Sequence, residues 1–324
     1  MLEKEFDLKV FSGTSNPILS ENIASFIGKS LGEIKISKFS DGEINLEIDE
    51  SVRGHDVYFI QSTCFPTNET LMELLLFLDA AKRASAQRIT AVIPYYGYAR
   101  QDRKSSPRTP ISAKLVADLI SVAGASRVLA VDLHAAQIQG FFNIQLDNLT
   151  TKLLAADHIK AKNLSKLSIV SPDIGGVRRA RDLSKMLDAN LVIVDKYREK
   201  PNKSQVMHLI GNFKGKNCIL VDDIIDTAGT VCAAAEELKK KGALSVRAYV
   251  THAVLSGNAV ERINKSAIEE IVVTDSIPLN GKAAKCKKIK VLPIAELLAK
   301  AIQNIHTSQS VSELFKIDKQ VKLV

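Results

Sequence analysis

Residues 218–242, CILVDDIIDTAGTVCAAAEELKKKG, constrain this chain more than any other stretch. Four apolar residues, 218–221, are short enough for a buried strand and run straight into two carboxylates, Asp222 and Asp223. After Ile224 and Ile225 come a third acid, Asp226, and a turn of small residues: Thr227, Ala228, Gly229 and Thr230. A helix is predicted next, ended by Lys239, Lys240, Lys241 and Gly242, because cations and glycine are favoured where a helix stops. A small-residue turn at a helix start gathers unpaired backbone N–H groups and the positive end of the helix dipole, which makes a seat for phosphate. Carboxylates at the strand tip suit sugar hydroxyls, or a metal held through water.

The rest of the chain repeats this alternation of strand and helix. Short strands are predicted near residue 10 and over 35–39, 45–48, 57–61, 89–93, 128–131, 168–171 and 191–194. Ser40, Asp41, Gly42 and Glu43 form a turn between two of them, with glycine where a positive φ is needed, so 35–48 reads as a hairpin. A helix is predicted over 68–84, capped by Asn68, with Leu71, Leu74, Leu75 and Leu78 on one face; a second spans 111–124. Such alternation argues for parallel sheets covered by helices on both faces.

An internal echo suggests duplication. After one strand the chain reads PYYGYARQDR, 94–103, and after another PDIGGVRRAR, 172–181; both fit P-x-x-G-x-x-R-x-x-R. Further on, VLAVD ending at Asp132 matches CILVD ending at Asp222. Two copies of one α/β unit are predicted, the second longer by about a dozen residues. That excess falls between Arg181 and Cys218 and includes DKYREKPNK, 195–203, a polar, cationic loop broken by Pro201. Such a loop suits a lid over polyphosphate or an ordinary surface hairpin.

Composition excludes other classes. A chain of 324 residues exceeds what one core usually organises, so two domains are expected. No run of apolar residues reaches membrane-spanning length and no signal-peptide pattern opens the chain, so neither membrane nor secretion is expected. Cys64, Cys218, Cys232 and Cys286 form no C-x-x-C pair, which fits a reducing cytoplasm rather than a disulfide scaffold or zinc site. The net charge of +8 allows nucleic acid as one reading, but there is no Trp and no basic arm, and a site for polyanionic small molecules explains it as well. Lys282, Lys285, Lys287, Lys288 and Lys290 read as a solvated loop flank.

Several segments converge on one family: SDGE at 40–43, PYYGYARQDRK at 94–104, VDLHA at 131–135, QIQGFF at 137–142, SPDIGGV at 171–177 and DDIIDTAGT at 222–230. Together, in this order, they strongly resemble ribose-phosphate diphosphokinase (PRPP synthetase) of the phosphate-activated type. The resemblance runs nearly the whole length of the chain. It implies two duplicated phosphoribosyltransferase-like domains, each a mainly parallel sheet flanked by helices, over 1–148 and 149–305, with a regulatory tail over 306–324. It implies transfer of the diphosphoryl group of ATP to the 1-hydroxyl of ribose 5-phosphate, giving PRPP and AMP for nucleotide biosynthesis.

Neither a P-loop nor G-x-G-x-x-G is present to hold a nucleotide. The resemblance assigns ATP instead to Asp41, Gly42, Glu43, Arg100 and Gln101, and Mg2+ to His134 and Asp173. Ribose 5-phosphate is assigned to Asp222, Asp223, Asp226, Thr227, Ala228, Gly229 and Thr230, with Arg198. Lys196 and Arg198 match the catalytic cations of the family's mobile loop. Ser310 and Ser312 match its regulatory tail, and a homohexamer with phosphate and ADP as effectors is implied.

Four positions depart from the family pattern: Tyr197 and Glu199 in the loop, Thr109 in RTPIS, and Asn143 after QGFF. The last two lie where the family places subunit contacts and effectors, which weakens the regulatory expectation more than the catalytic one. Two rival readings share features of this chain. A phosphoribosyltransferase shares the 222–230 loop, but would not need a duplicated half. A non-catalytic regulatory subunit would not need Lys196, Arg198, His134 and Asp173 together.

Overall fold

Neighbouring parallel strands cannot be joined by a tight turn, and here every such connection carries a helix. The structure is a computed structural model describing residues 6–197 and 206–315, with the side chains of Lys196, Tyr197 and Val206 outside that description. The chain divides into two units, 1–150 with 293–324, and 151–292.

The first unit runs β1 (Leu8–Ser12), α1 (Pro17–Ile27), β2 (Ile34–Lys38), β3 (Ile44–Ile48), β4 (Asp56–Ile60), α2 (Thr67–Arg83), β5 (Arg88–Ile93), α3 (Ser112–Ala123) and β6 (Arg127–Val131). A 3-10 turn (Ala136–Phe141) and β7 (Gln145–Leu149) follow. Its main sheet has the order β1-β4-β5-β6-β7, all parallel. Strand β4 is buried at every position, and Phe59 on it stacks on Phe77 of α2 with ring centroids 4.0 Å apart. The hairpin β2–β3 stands as a separate two-stranded sheet turned at Gly42, φ 95°. Its alternation leaves Ile34, Leu46 and Ile48 packed on the core of this unit. Asn68 does not cap α2: Pro66 holds the cap position, and the Asn68 side chain instead accepts from the Tyr98 hydroxyl.

The second unit runs α4 (Lys152–Ala161), β8 (Leu167–Ser171), α5 (Val177–Met186), β9 (Asn190–Tyr197), β10 (Val206–Ile210), β11 (Asn217–Ile225), α6 (Gly229–Lys240) and β12 (Ser245–Ala253). Then come α7 (Ala259–Lys265), β13 (Glu270–Thr274), α8 (Gly281–Ala284) and β14 (Ile289–Leu292). Its sheet is ordered β10-β9-β8-β11-β12-β13-β14, parallel except for the edge strand β10. The last helix, α9 (Ala295–His306), returns to the first unit, where it packs on α1. Arg88 and His306 both meet the fully buried carboxylate of Asp56 at the start of β4 and so fasten the end of α9. The second unit therefore ends near residue 292, and 293–305 do not belong to it.

The element order corrects the register of the repeat. Strand, helix, hairpin, strand, helix, strand, helix, strand, short helix, strand describes both β1 to β7 and β8 to β14. Strand β8 therefore corresponds to β1, and β11 to β4. The P-x-x-G echo instead matched β5 with β8, whose places in the two sheets differ. Nor is there an inserted segment, because the hairpin β9–β10 is the counterpart of β2–β3. Apolar strands followed by Pro or Asp recur in both sheets, after β5, β6, β8, β13 and β14, which is why the motif misled. Of the 195–203 loop, residues 198–203 lie outside the described residues.

Candidate functional site

In the second unit the chain leaves β8 towards β9 on one side, then returns to β11 and proceeds to β12 on the other. The strand order reverses between β8 and β11, and a crevice at the carboxyl ends of such a strand pair is where open α/β sheets bind ligands. Strand β11 is longer than the expected 218–221. It pairs with β12 as far as Ile225, whereas its pairing with β8 stops at Leu220. Asp222 and Asp223 therefore sit where one neighbour has ended and the other continues, facing the loop that leads from β8 into α5.

Arg179 of α5 reaches both acids, with Nη1 3.3 Å from Asp222 Oδ1 and 3.1 Å from Asp223 Oδ1. Burial and the neighbouring Asp223 carboxylate push the Asp222 carboxyl up to about 8; Arg179 opposes that shift and Asp173 adds to it. Asp173 lies in the β8–α5 loop, where its Oδ1 accepts from the Gly176 N–H at 2.9 Å and Ser171 Oγ donates to its carbonyl at 2.6 Å. Three carboxylates thus share one crevice with a single guanidinium contacting two of them. Such an oxygen-only, electron-rich set suits sugar hydroxyls.

Beyond Ile225 the chain turns over 226–230 into α6. Ala228 caps that helix in the left-handed conformation, φ 60° and ψ 6°, at a cost of roughly 1–2 kcal/mol for a residue with a Cβ. That conformation starts α6 at Gly229, so the helix opens just beyond the carboxyl end of β11. Two side chains from the segment after β12 hold the turn: Ser256 donates to Asp226, and Arg262 donates to the Thr227 carbonyl. Neither these two residues nor Arg179 stands out in the sequence. Arg179 is one of three arginines in VRRAR, and only helix phase distinguishes it.

In the first unit the corresponding point, between β1 and β4, is filled from within. Glu73 of α2 accepts from the Thr14 N–H at 2.6 Å, the Thr14 hydroxyl at 2.8 Å and Gln61 Nε2 at 2.7 Å. Gln61 and Ser62 stand there in the places of Asp222 and Asp223. A Cβ on Gly13 would lie 2.3 Å from Gln61 Oε1, so the packing leaves no room even for a methyl group.

The remaining sequence-derived residues fall into separate groups. Asp41, Gly42 and Glu43 form the exposed tip of the β2–β3 hairpin, with Asp41 Oδ1 accepting from the Glu43 N–H at 3.1 Å. Arg100 and Gln101 follow β5 and His134 follows β6, its neighbour, so both segments emerge from one end of the sheet. Gln137 Nε2 donates to Asp102 Oδ2 at 2.5 Å and ties these segments together; Arg100, Gln101 and His134 are exposed. His134 belongs to the first unit and Asp173 to the second, and the described residues hold no cluster of three or more His, Cys, Asp or Glu poised around a metal. Lys196 lies in β9 with its side chain outside the description, and Arg198 lies outside the described residues altogether. Ser310 and Ser312 follow α9, their hydroxyls 2.7 Å apart.

Two features of the surface and core bear on chemistry elsewhere. Lys288 is no solvated flank: its ammonium donates to the Ile263 and Ser266 carbonyls at the end of α7. All four cysteines are buried free thiols, and burial pushes Cys64 and Cys218 up to about 11, which leaves them unreactive. No described helix is long and apolar enough to cross a membrane.

Fold and site together define a duplicated phosphoribosyltransferase-type α/β protein with a carboxylate-lined crevice in its second unit. The N-terminal domain of ribose phosphate pyrophosphokinase matches residues 8–124, and the phosphoribosyl synthetase-associated domain matches 178–316. The ribose-phosphate pyrophosphokinase of Rhizobium meliloti is 55% identical over 309 residues, spanning 95% of this chain and 100% of the relative. That of Campylobacter jejuni is 55% identical over 307 residues, spanning 95% and 98%. The crystal structure of phosphoribosylpyrophosphate synthetase from Mycobacterium smegmatis superposes with a TM-score of 0.88 at 40% identity, covering 93% of this chain and 99% of that one. The chain belongs to the ribose-phosphate pyrophosphokinase family.

Proposed function

We propose that this protein transfers the β,γ-diphosphoryl group of ATP to the 1-hydroxyl of ribose 5-phosphate, releasing AMP and PRPP for nucleotide biosynthesis in the cytoplasm. The observation that carries the reading is the crevice of the second unit, where the buried Asp223 and the half-buried Asp222 face a small-residue turn that opens α6.

The 5-phosphate takes the N–H groups of 226–230 and the dipole end of α6. Asp222 and Asp223 accept hydrogen bonds from the ribose hydroxyls and orient the ring, so that the 1-hydroxyl is aligned with the β-phosphorus. Asp41, Gly42, Glu43, Arg100 and Gln101 hold the nucleotide, with the Arg100 guanidinium suited both to stack on a base and to reach phosphate. Mg2+ is the metal this reading requires; His134 and Asp173 are the residues that would hold it, and it would offset charge on the triphosphate. Lys196 and Arg198 neutralise the negative charge that develops on the transferred group and on the leaving oxygen as the loop closes. A homohexamer, phosphate and ADP as effectors, and a regulatory role for Ser310 and Ser312 complete the reading.

The test is direct. Incubation with ATP, Mg2+ and ribose 5-phosphate yields AMP and PRPP in equal amounts; silence with intact nucleotide binding would instead mark a non-catalytic subunit. Lys196→Ala is expected to lower kcat by about a hundredfold to a thousandfold with little change in KM, as for loss of one transition-state donor. A near-normal kcat in that variant removes Lys196 from the mechanism.

A further inference from the structure

The turn over 226–230 owes its shape to a segment that sequence reading passed over. Ala228 sits in a left-handed conformation that an alanine does not adopt by preference, so the neighbourhood must hold it there. Three contacts do so, all from 255–262: the Leu255 N–H donates to the Ile225 carbonyl at 3.0 Å, Ser256 Oγ donates to Asp226 Oδ1, and Arg262 Nη1 donates to the Thr227 carbonyl. The last two grip the residues immediately before Ala228 from one side. Arg262 is well placed for this. It stands on α7, whose end is held by Lys288. Its guanidinium also borders a cavity of about 530 Å³ between α6 and α7, lined by Cys232, Glu236, Asn258 and Lys265 among others.

We infer that Arg262 and Ser256 are positioning residues that preorganise the phosphate-receiving turn and thereby set affinity for the sugar phosphate. This inference rests on the reading of 226–230 as the 5-phosphate seat. Neither residue needs to touch the ligand. By fixing the Thr227 carbonyl outward and the Asp226 side chain aside, they leave the N–H groups from Ala228 onward directed at one point before any ligand arrives. A turn held in advance spares the ligand the cost of ordering it, so loss of the grip falls on ribose 5-phosphate binding and leaves ATP binding untouched. The planar guanidinium matters because its charge strengthens the bond to a carbonyl and its geometry is rigid, whereas an ammonium on a flexible stem holds the carbonyl less firmly.

The experiment compares the wild type with Arg262→Met, Arg262→Lys, Arg262→Ala and Ser256→Ala, and with Lys282→Ala as a control. Ribose 5-phosphate binding is measured by calorimetry, KM for both substrates by AMP release, and folding by thermal denaturation. Arg262→Met is expected to weaken ribose 5-phosphate binding by about tenfold to a hundredfold, the loss of one charge-assisted hydrogen bond, with KM for ATP and the melting midpoint unchanged. Arg262→Lys should fall between that variant and the wild type, Ser256→Ala should lose several-fold, roughly, as one neutral donor to a carboxylate does, and Lys282→Ala should match the wild type. The cavity gives a small cation access to the vacated position, so millimolar guanidinium chloride should restore ribose 5-phosphate binding to Arg262→Ala and leave the wild type unaltered.

Undiminished ribose 5-phosphate binding in Arg262→Met overturns the inference. So does a parallel loss for both substrates with a lowered midpoint, or failure of both the lysine variant and guanidinium to recover affinity. A wild type that does not bind ribose 5-phosphate at all overturns the reading of the seat itself, and the two failures are told apart by that one measurement.

Discussion

Replacing Arg179 by methionine tests the acceptor crevice most sharply. Its Nη1 stands 3.1 Å from Asp223 and 3.3 Å from Asp222, whose side chains are 5% and 17% exposed, and Arg179 itself is 22% exposed. Hydrogen bonds to charged groups are worth about 1.5–3 kcal/mol each, and breaking a buried ion pair from one side costs about 3–5 kcal/mol. Both distances are long, and Asp222, already pushed up to about 8 with Arg179 in place, holds its proton still more firmly once the cation is gone, which limits the loss to about 2 kcal/mol. That protonation is what harms binding, because a neutral carboxyl is a poorer acceptor for ribose hydroxyls. KM for ribose 5-phosphate is therefore expected to rise about tenfold to a hundredfold at pH 7, with KM for ATP unchanged. Arg179 lowers the Asp222 pKa, so its removal raises that pKa further and the defect should shrink as pH increases from 7 to 9. Initial rates of AMP formation at varied ribose 5-phosphate and pH measure both effects. A ribose 5-phosphate KM within twofold of the wild type, or a defect that grows with pH, would refute the reasoning.

Two further perturbations address stability. Asp56→Ala removes a fully buried carboxylate that accepts from Tyr58 at 3.0 Å and from Arg88 Nε at 3.1 Å, with His306 Nδ1 2.8 Å away. The expected cost is about 3 kcal/mol, the low end for a broken buried pair because Arg88 can rehydrate, which lowers the first unit's melting midpoint by on the order of 10 °C. A midpoint within measurement error of the wild type would show that α9 is held by other contacts. Asp222→Asn should alter the pH profile of stability. A carboxyl whose folded pKa is raised keeps its proton while the unfolded chain has already lost it. The wild type therefore loses stability as pH rises from near the ordinary aspartate value of 3.8 to about 8, and the variant lacks that decline. Urea midpoints for both proteins at several pH values measure the difference, and parallel profiles would contradict the assignment of the shift to Asp222.

Local features of this chain were legible in the sequence because their causes are local. The turn at Gly42, the strand–turn–helix of 218–242 and the apolar face of α2 depend on residues within a few positions of one another. Their types alone select the backbone conformation. The set of motifs also indicated a duplicated α/β fold, and the element order of the two units shows that duplication. Where the sequence misled, the deciding contacts were distant. Asn68 has the right side chain for a cap, yet Pro66 started α2 two residues earlier and left Asn68 for Tyr98. The echo of P-x-x-G matched strands that occupy different places in their sheets, because a short motif carries no record of which neighbour a strand pairs with.

What the sequence determined by itself is two carboxylates beside a small-residue turn, the seat proposed for phosphate, since a run of nine residues builds both within one strand, turn and helix start. Only the tertiary structure decided how that seat is completed. Strand β11 outruns β8 while β12 keeps pace, which opens the crevice; Arg179 enters from α5, and Ser256 and Arg262 brace the turn from beyond β12. The first unit closes the equivalent crevice with its own Glu73. These are pairings across some 30 to 60 residues. They are set by strand order and packing, which no local window of sequence encodes.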